Sequence, residues 1–166
     1  LDISASHGMW GIAVARRHPG AAIVAVDWAP VLDIARENAR LAGVLDRFSS
    51  LAGNAFEIEF EGDHDVVLIP NFLHHFSPAD CVRFLRKAHG ALRAGGTVAI
   101  VEFVPDADRI SPRESAGFSI VMLATTPEGD AYTFEEFAAM LSEAGFHPPS
   151  RHVLPSSPNV ALIAMK

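Results

Sequence analysis

Apolar and polar positions along this chain alternate between two rhythms. Short continuous apolar runs are separated by longer stretches with apolar residues three or four apart. The runs Leu1–Ile3, Ala22–Asp27, Phe48–Ala52, Asp65–Pro70 and Thr97–Glu102 read as strands, since burial on both faces requires near-continuous apolar character. Between them, Met9–His18 reads as a helix ended by Pro19-Gly20, and Pro30–Leu41 as a second with Gly43 just past its end. Ser77-Pro78-Ala79-Asp80 predicts a helix start, with Ser77 as cap and Pro78 at the first helical position. Val82, Leu85, Ala88 and Leu92 continue that helix, and Gly95-Gly96 is expected to stop it. Ser111/Glu114 and Thr133/Glu136 each have the spacing of a capping box, opening helices that run to Thr125 and Ala144. Arg151–Leu154 and Asn159–Met165 read as two closing strands joined by Pro155–Pro158. Strands alternating with helices predict an α/β fold with a doubly wound, mostly parallel sheet.

The 166 residues fit one domain, 1–166, with a sizeable core. Twenty acidic against 13 basic residues give a net charge of -7, which argues against nucleic acid or an anionic membrane as partner. Cys81 is the only cysteine, so no disulfide framework or Cys-based zinc site is expected, and a reducing, cytoplasmic setting is the simplest reading. No apolar run is long enough for a transmembrane helix. The chain opens on Leu1-Asp2-Ile3 without Met, in what reads as a strand already under way, so an upstream segment is expected.

Candidate chemistry gathers at the strand ends. Leu68-Ile69-Pro70-Asn71-Phe72-Leu73 runs straight into His74-His75, and the run Thr97–Val101 ends on Glu102. In a parallel sheet the strand C-termini share one edge, and ligands bind there. A histidine and a glutamate at two such ends put a candidate base beside a carboxylate. The first loop, Ser4-Ala5-Ser6-His7-Gly8, has small residues at alternate positions and precedes a helix N-terminus with free N–H groups. Asp27 ends the second strand about 25 residues after Asp2, near the spacing at which an acidic residue holds a ribose. The loop lacks the G-x-G-x-x-G of dinucleotide sites, which counts against a nicotinamide-dependent oxidoreductase. Read from spacing alone, the loop is equally a plain strand-to-helix turn. One of the two histidines is by itself more often a loop or core residue than a base. A metal on the His74-His75 pair is disfavoured because adjacent residues on a strand end point apart, and the metal expectation is none.

These residues, taken in order, resemble a known family. Asp2-x-Ser4-x-Ser6-x-Gly8 resembles the D-x-G-x-G-x-G motif of class I S-adenosylmethionine-dependent methyltransferases, with serine at two of its glycines. Asp27 matches the family's ribose-binding acid, and Gly53-Asn54-Ala55-Phe56 resembles its Gly-Asp-x-Phe segment near the adenine. Leu73-His74-His75-Phe76 resembles the L-H-D-W of small-molecule O-methyltransferases, and Ala91–Glu102 their A-L-x-P-G-G strand ending in Glu. Tyr132–Phe137 with Ala144-Gly145-Phe146 matches their closing helix. The resemblance looks strongest to the C-terminal catalytic domain of bacterial hydroxy-aromatic O-methyltransferases.

That resemblance implies a Rossmann-like doubly wound sheet of seven strands, mostly parallel with one antiparallel strand in the C-terminal hairpin. It implies S-adenosylmethionine as methyl donor, S-adenosylhomocysteine as product and no metal. It makes His74 the general base and Glu102 its orienting partner. It assigns Asp2, Ser4, Ser6, Gly8, Asp27, Trp28, Asn54, Ala55, Phe56 and Asn71 to the cofactor, and Phe72, His75, Phe118 and Met122 to a small hydroxylated acceptor. An upstream helical domain and a homodimer of the full-length protein are implied as well. The departures are Ser4, Ser6, Asn54, His75, and Ala131 where plant relatives carry a second Glu beside the base. Asp130 is a neighbouring candidate for that role. The departures leave a second hypothesis open, a retired domain that binds the cofactor without transferring the methyl group.

Overall fold

The computed structural model describes residues 1–166. Its strands are β1 (Asp2–Ile3), β2 (Ile23–Asp27), β3 (Phe48–Ala52), β4 (His64–Pro70), β5 (Leu92–Glu102), β6 (Ser150–Val153) and β7 (Val160–Met165). Its helices are α1 (Met9–Arg17), α2 (Ala29–Leu41), α3 (Pro78–Ala91), α4 (Arg113–Thr125) and α5 (Phe134–Glu143). The strands form one sheet in the order β3-β2-β1-β4-β5-β7-β6. β1 runs parallel to β2 and β4, and β2 to β3. β7 is antiparallel to both β5 and β6. This is the seven-stranded, mostly parallel sheet with a reversed C-terminal hairpin that the sequence predicts. No helix is long and apolar enough to cross a membrane.

Two compact units divide the chain, Leu1–Phe60 with Val67–Pro70, and Glu61–Val66 with Asn71–Lys166. In the first, β1, β2 and β3 carry α1 and α2. Their shared core is mostly aliphatic: Ile12, Ala15, Ile23, Ala25, Leu32 and Ala35 are buried with Phe48. Small residues let α1 pack closely. A methyl group on Gly11 would come within 2.6 Å of Ile23 Cγ2 and 2.9 Å of Asp2 Oδ2. Gly8, at φ 81°, precedes α1 in the left-handed region and has no room for a side chain against Ala35.

In the second unit, α3 and α5 pack together, with Phe84, Leu85, Phe137 and Leu141 fully buried. Val98 and Ile100 of β5 and Leu162 of β7 supply the sheet side of that core. α3 starts as its sequence predicts, with Ser77 Oγ accepting the Asp80 N–H at 3.3 Å. α5 closes the predicted capping box between Thr133 and Glu136.

Two expectations are corrected. α3 ends at Ala91, before Gly95-Gly96, and β5 already begins at Leu92. Gly96 is instead a point of close backbone approach within the strand. Its carbonyl accepts from Lys166, and a methyl group there would meet the Arg93 and His64 carbonyls at 3.0 and 3.1 Å. The capping box at Ser111 does not form, because the residue before α4 is Pro112, in a cis bond to Ser111. Ser111 has its N–H bonded to Asp108 Oδ1 and its carbonyl to the Asp106 N–H. It closes a loop turn instead of opening a helix.

Gly11→Ala tests the packing of α1. Alanine is the better helix former, but overpacking against Ile23 and the buried Asp2 carboxylate outweighs that gain. The expected loss is about 2 kcal/mol, measured by urea denaturation; a stability equal to wild type would show that the α1 contact gives way freely.

Candidate active site

The first unit gathers the residues expected to hold a nucleoside. β2 ends on Asp27, whose carboxylate accepts two backbone N–H groups. Ser6 donates to Oδ2 at 2.8 Å and Trp28 to Oδ1 at 2.7 Å. Each oxygen keeps a further lone pair, so the group is oriented and still free to receive two hydroxyls. The Trp28 ring beside it is largely exposed. Ser4 and Ser6 stand at φ 51° and 52°. They hold the left-handed backbone that glycine adopts freely, at roughly 1–2 kcal/mol each for a residue with a Cβ. The loop therefore keeps a glycine-type course with serine in place.

Asn54 makes a local turn in which Oδ1 accepts the Phe56 N–H at 3.0 Å and Nδ2 donates to Glu57 at 2.9 Å. One lone pair of Oδ1 remains for a ligand amino group. Gly53 before it, at φ 145°, abuts Ile58 and donates its N–H to the Asp27 carbonyl. Ala55 and Phe56 are half-buried in the same turn.

Asp2 is buried. Its Oδ2 accepts the Gly11 N–H at 2.9 Å, while its Oδ1 is sealed from solvent with no partner. Burial pushes its carboxyl up from 3.8 to about 6, opposed only in part by the Gly11 N–H. An orphaned buried carboxylate oxygen is costly and suits a cationic ligand group.

The second unit carries the other half of the predicted set. β5 delivers Glu102 fully buried, and β4 leads through Asn71 into a short 3₁₀ turn, Leu73–His75. Asn71 adopts φ 50°, donates its N–H to the Val101 carbonyl at 2.8 Å, and accepts from Asn159 Nδ2 at 2.8 Å. The turn points its N–H groups at Glu102. Oε1 accepts from Phe72 at 3.0 Å, Leu73 at 2.9 Å and His74 at 3.4 Å. Oε2 lies 2.6 Å from His74 Nδ1. A carboxylate so surrounded by donors is an acceptor, so the imidazole proton sits on Nδ1 and donates to it. A neutral imidazole in that tautomer leaves Nε2 with its lone pair.

His74 is buried, with the Phe118 ring edge-on to it at 4.8 Å and the exposed His75 ring at 4.2 Å. Burial, and then the neighbouring His74, lower the pKa of His75, and Glu102 opposes them. Phe118 stacks on Phe103 at 4.1 Å, and Met122 lies buried one turn further along α4. The Phe72 ring packs on Phe76 and Phe84 at 4.9 and 4.8 Å. Cys81 Sγ donates to the Leu73 carbonyl at 3.2 Å, and burial pushes the thiol up to about 12, which makes it no nucleophile at neutral pH. Phe103 was missed by sequence reasoning, although it follows Glu102 directly. Asp130, the candidate substitute for the second Glu, is tied to Arg109 at 2.9 Å.

A family model for an O-methyltransferase domain matches residues 1–147. The chain belongs to the O-methyltransferase domain family. Over 145 residues this domain is 32% identical to the 3-hydroxy-5-methyl-1-naphthoate 3-O-methyltransferase of Streptomyces sahachiroi, covering 87% of this chain and 42% of that enzyme. A crystal structure from Nostoc punctiforme, provisionally named an O-methyltransferase, matches with TM-score 0.97 at 53% identity, covering 99% of this chain and 51% of that one. The apo structure of the S-adenosylmethionine-dependent methyltransferase SibL matches with TM-score 0.87 at 27% identity, over 99% of this chain and 49% of that one. The chain spans about half the length of the relatives it matches.

The Asp2 carboxyl makes the stability of the domain pH-dependent. Its folded pKa of about 6 lies above the ordinary 3.8. The folded state thus binds the extra proton, and stability contributed by this group is full below 3.8 and lost as pH rises through about 6. Relative to Asp2→Asn, the wild-type protein should lose roughly 2 kcal/mol between pH 4 and pH 7. Parallel urea titrations at several pH values measure the difference, and a flat difference would mean Asp2 ionises freely in the fold.

Proposed function

We propose that this domain transfers the methyl group of S-adenosylmethionine to a hydroxyl of a small aromatic or polyketide-like acceptor, with His74 as general base. The observation that carries this reading is the buried His74–Glu102 pair, with Nδ1 2.6 Å from Oε2, a contact that favours the imidazole proton on Nδ1 and Nε2 free to take another. Bound S-adenosylmethionine supplies a methyl group on a sulfonium, open to attack by oxygen in line with the departing sulfur. The residues of the first unit fit such a ligand. Asp27 offers two acceptor lone pairs for the ribose hydroxyls, the orphaned Asp2 oxygen suits the methionyl ammonium, and the Ser4–Gly8 loop keeps its glycine-type course. Trp28, Asn54, Ala55 and Phe56 are assigned to the adenosine, and Asn71 to the same cofactor.

His74 receives the acceptor's hydroxyl proton at Nε2 as the oxygen loses it. Glu102 then faces an imidazolium and stabilises it across the 2.6 Å contact. A positioned base of this kind is typically worth about 10²–10⁴-fold in rate. Phe118, His75, Met122 and Phe72 are assigned to the acceptor, for which the aromatic surround of His74 suits a planar ring. The complete protein is proposed to act as a cytoplasmic homodimer. A retired, binding-only domain rests on the serines in the first loop. Their left-handed backbone and the intact dyad count against it.

Calorimetric titration with S-adenosylmethionine and S-adenosylhomocysteine should show binding that Asp27→Ala loses. His74→Ala should keep that binding and lose about 10²–10⁴-fold in turnover on a panel of hydroxynaphthoates and phenols. Wild-type turnover by His74→Ala would remove the base from the reading. Absence of binding by the folded, complete protein would remove the cofactor.

A further inference from the structure

His74 is braced from its backbone side as well as from its ring. The connection from α4 to α5 passes directly against the base turn. Gly129 lies on the His74 carbonyl so closely that a methyl group there would collide with it, and would also stand 2.6 Å from Thr126 Oγ1 and 3.1 Å from the His75 carbonyl carbon. One end of this connection is pinned by Thr126, whose hydroxyl donates to the Met122 carbonyl and accepts the Gly129 N–H, both at 2.8 Å. Further along, Tyr132 donates its hydroxyl to the Phe76 carbonyl at 2.6 Å. The connection thus touches the base turn at His74 and again at Phe76.

Arg109 holds the middle. It lies between β5, which supplies Glu102, and α4, which supplies Phe118. Nη1 donates to Asp130 at 2.9 Å, and Nη2 to both oxygens of Glu136 at 2.6 and 2.8 Å. Glu136 in turn accepts the Thr133 N–H at 2.8 Å in the α5 capping box. The guanidinium is the one cation between these two carboxylates, so without it they repel each other across the connection. Arg109 stands at φ 54°, in a conformation that a side-chain-bearing residue holds only when its surroundings impose it. Here the turn from Asp106 to Ser111 imposes it: the Arg109 N–H bonds to the Asp106 carbonyl, and the Asp106 N–H to the Ser111 carbonyl. Arg151 adds a contact to Asp106 at 3.3 Å.

We propose that Arg109 is a positioning residue for His74, acting through Asp130 and Gly129. It rests on the reading of His74 as base. Exposed ion pairs of this kind contribute little to stability, so the consequence of the clasp is geometric. Of the three N–H groups on Glu102 Oε1, that of His74 is the longest at 3.4 Å and the first to be lost if the His74 backbone drifts. Drift there also misdirects the ring that carries the 2.6 Å bond. A small misplacement of a reacting group can cost on the order of 10²-fold in rate.

The test uses the complete protein with S-adenosylmethionine and whichever hydroxynaphthoate or phenol it turns over best. Arg109→Gln should lower kcat by about 10–100-fold, leave KM for S-adenosylmethionine unchanged, shift the pH profile of kcat, and broaden or move the low-field Nδ1–H proton resonance of His74. Arg109→Lys should recover only part, since one ammonium cannot fork to both carboxylates. Arg93→Gln, which removes the exposed pair with Asp65, serves as control and should change none of these. A wild-type resonance and pH profile in Arg109→Gln, whatever its thermal stability, would overturn the proposal. The resonance is read without turnover. If His74→Ala stayed active, the base assignment would fail, while a displaced resonance in Arg109→Gln would still show that Arg109 positions the ring.

Discussion

One buried carboxylate orders the turn between β4 and α3. Glu102 has no exposed surface, and removing an ionised group from water costs several kcal/mol unless its lone pairs are filled. They are filled by three backbone N–H groups from one turn and by the His74 ring. The arrangement explains why β4 does not simply run on into α3. The chain needs a residue in the left-handed region at Asn71, then a short 3₁₀ turn, so that successive N–H groups converge on one oxygen. An apolar residue at 102 would strand those donors, and a neutral amide would present N–H where an acceptor is needed. The histidine is held by the same carboxylate that its ring helps to satisfy.

The first unit makes the opposite choice. There the carboxylate of Asp2 is buried with one oxygen unmatched, and two serines sit where glycine would be at ease. Both features cost stability in the ligand-free chain. A core built for stability alone would put an apolar residue at position 2 and glycine at 4 and 6. Asp2 lies in β1 and the two serines in the loop that follows it, so both costs fall within the first six residues.

The strands, four of the five helix starts and the capping box at Thr133 were legible because each is written within a few residues. The helix end at Gly95-Gly96 was misread because glycine signals both a helix stop and a close backbone approach, and only the Lys166 partner distinguishes them. The box at Ser111 was misread because Ser111 was already bonded to Asp106 and Asp108. That His74 and Glu102 meet was legible from two strand ends sharing one edge, but the convergence of three N–H groups on Glu102 was not. Nor could sequence reveal that Ser4 and Ser6 keep the glycine conformation. The Arg109 clasp was invisible for a related reason. Its partners lie 21 and 27 residues away, and nothing local marks that arginine from the other surface cations.

The polar bonds that define each half close within that half. Asp27 is oriented by Ser6 and Trp28, Asp2 by Gly11, Glu102 by the base turn, and His74 by Glu102. Substitutions at Asp27 should therefore leave the His74–Glu102 contact alone, and those at Glu102 should leave the bonds of Asp27 alone, as expected for groups that share no partners.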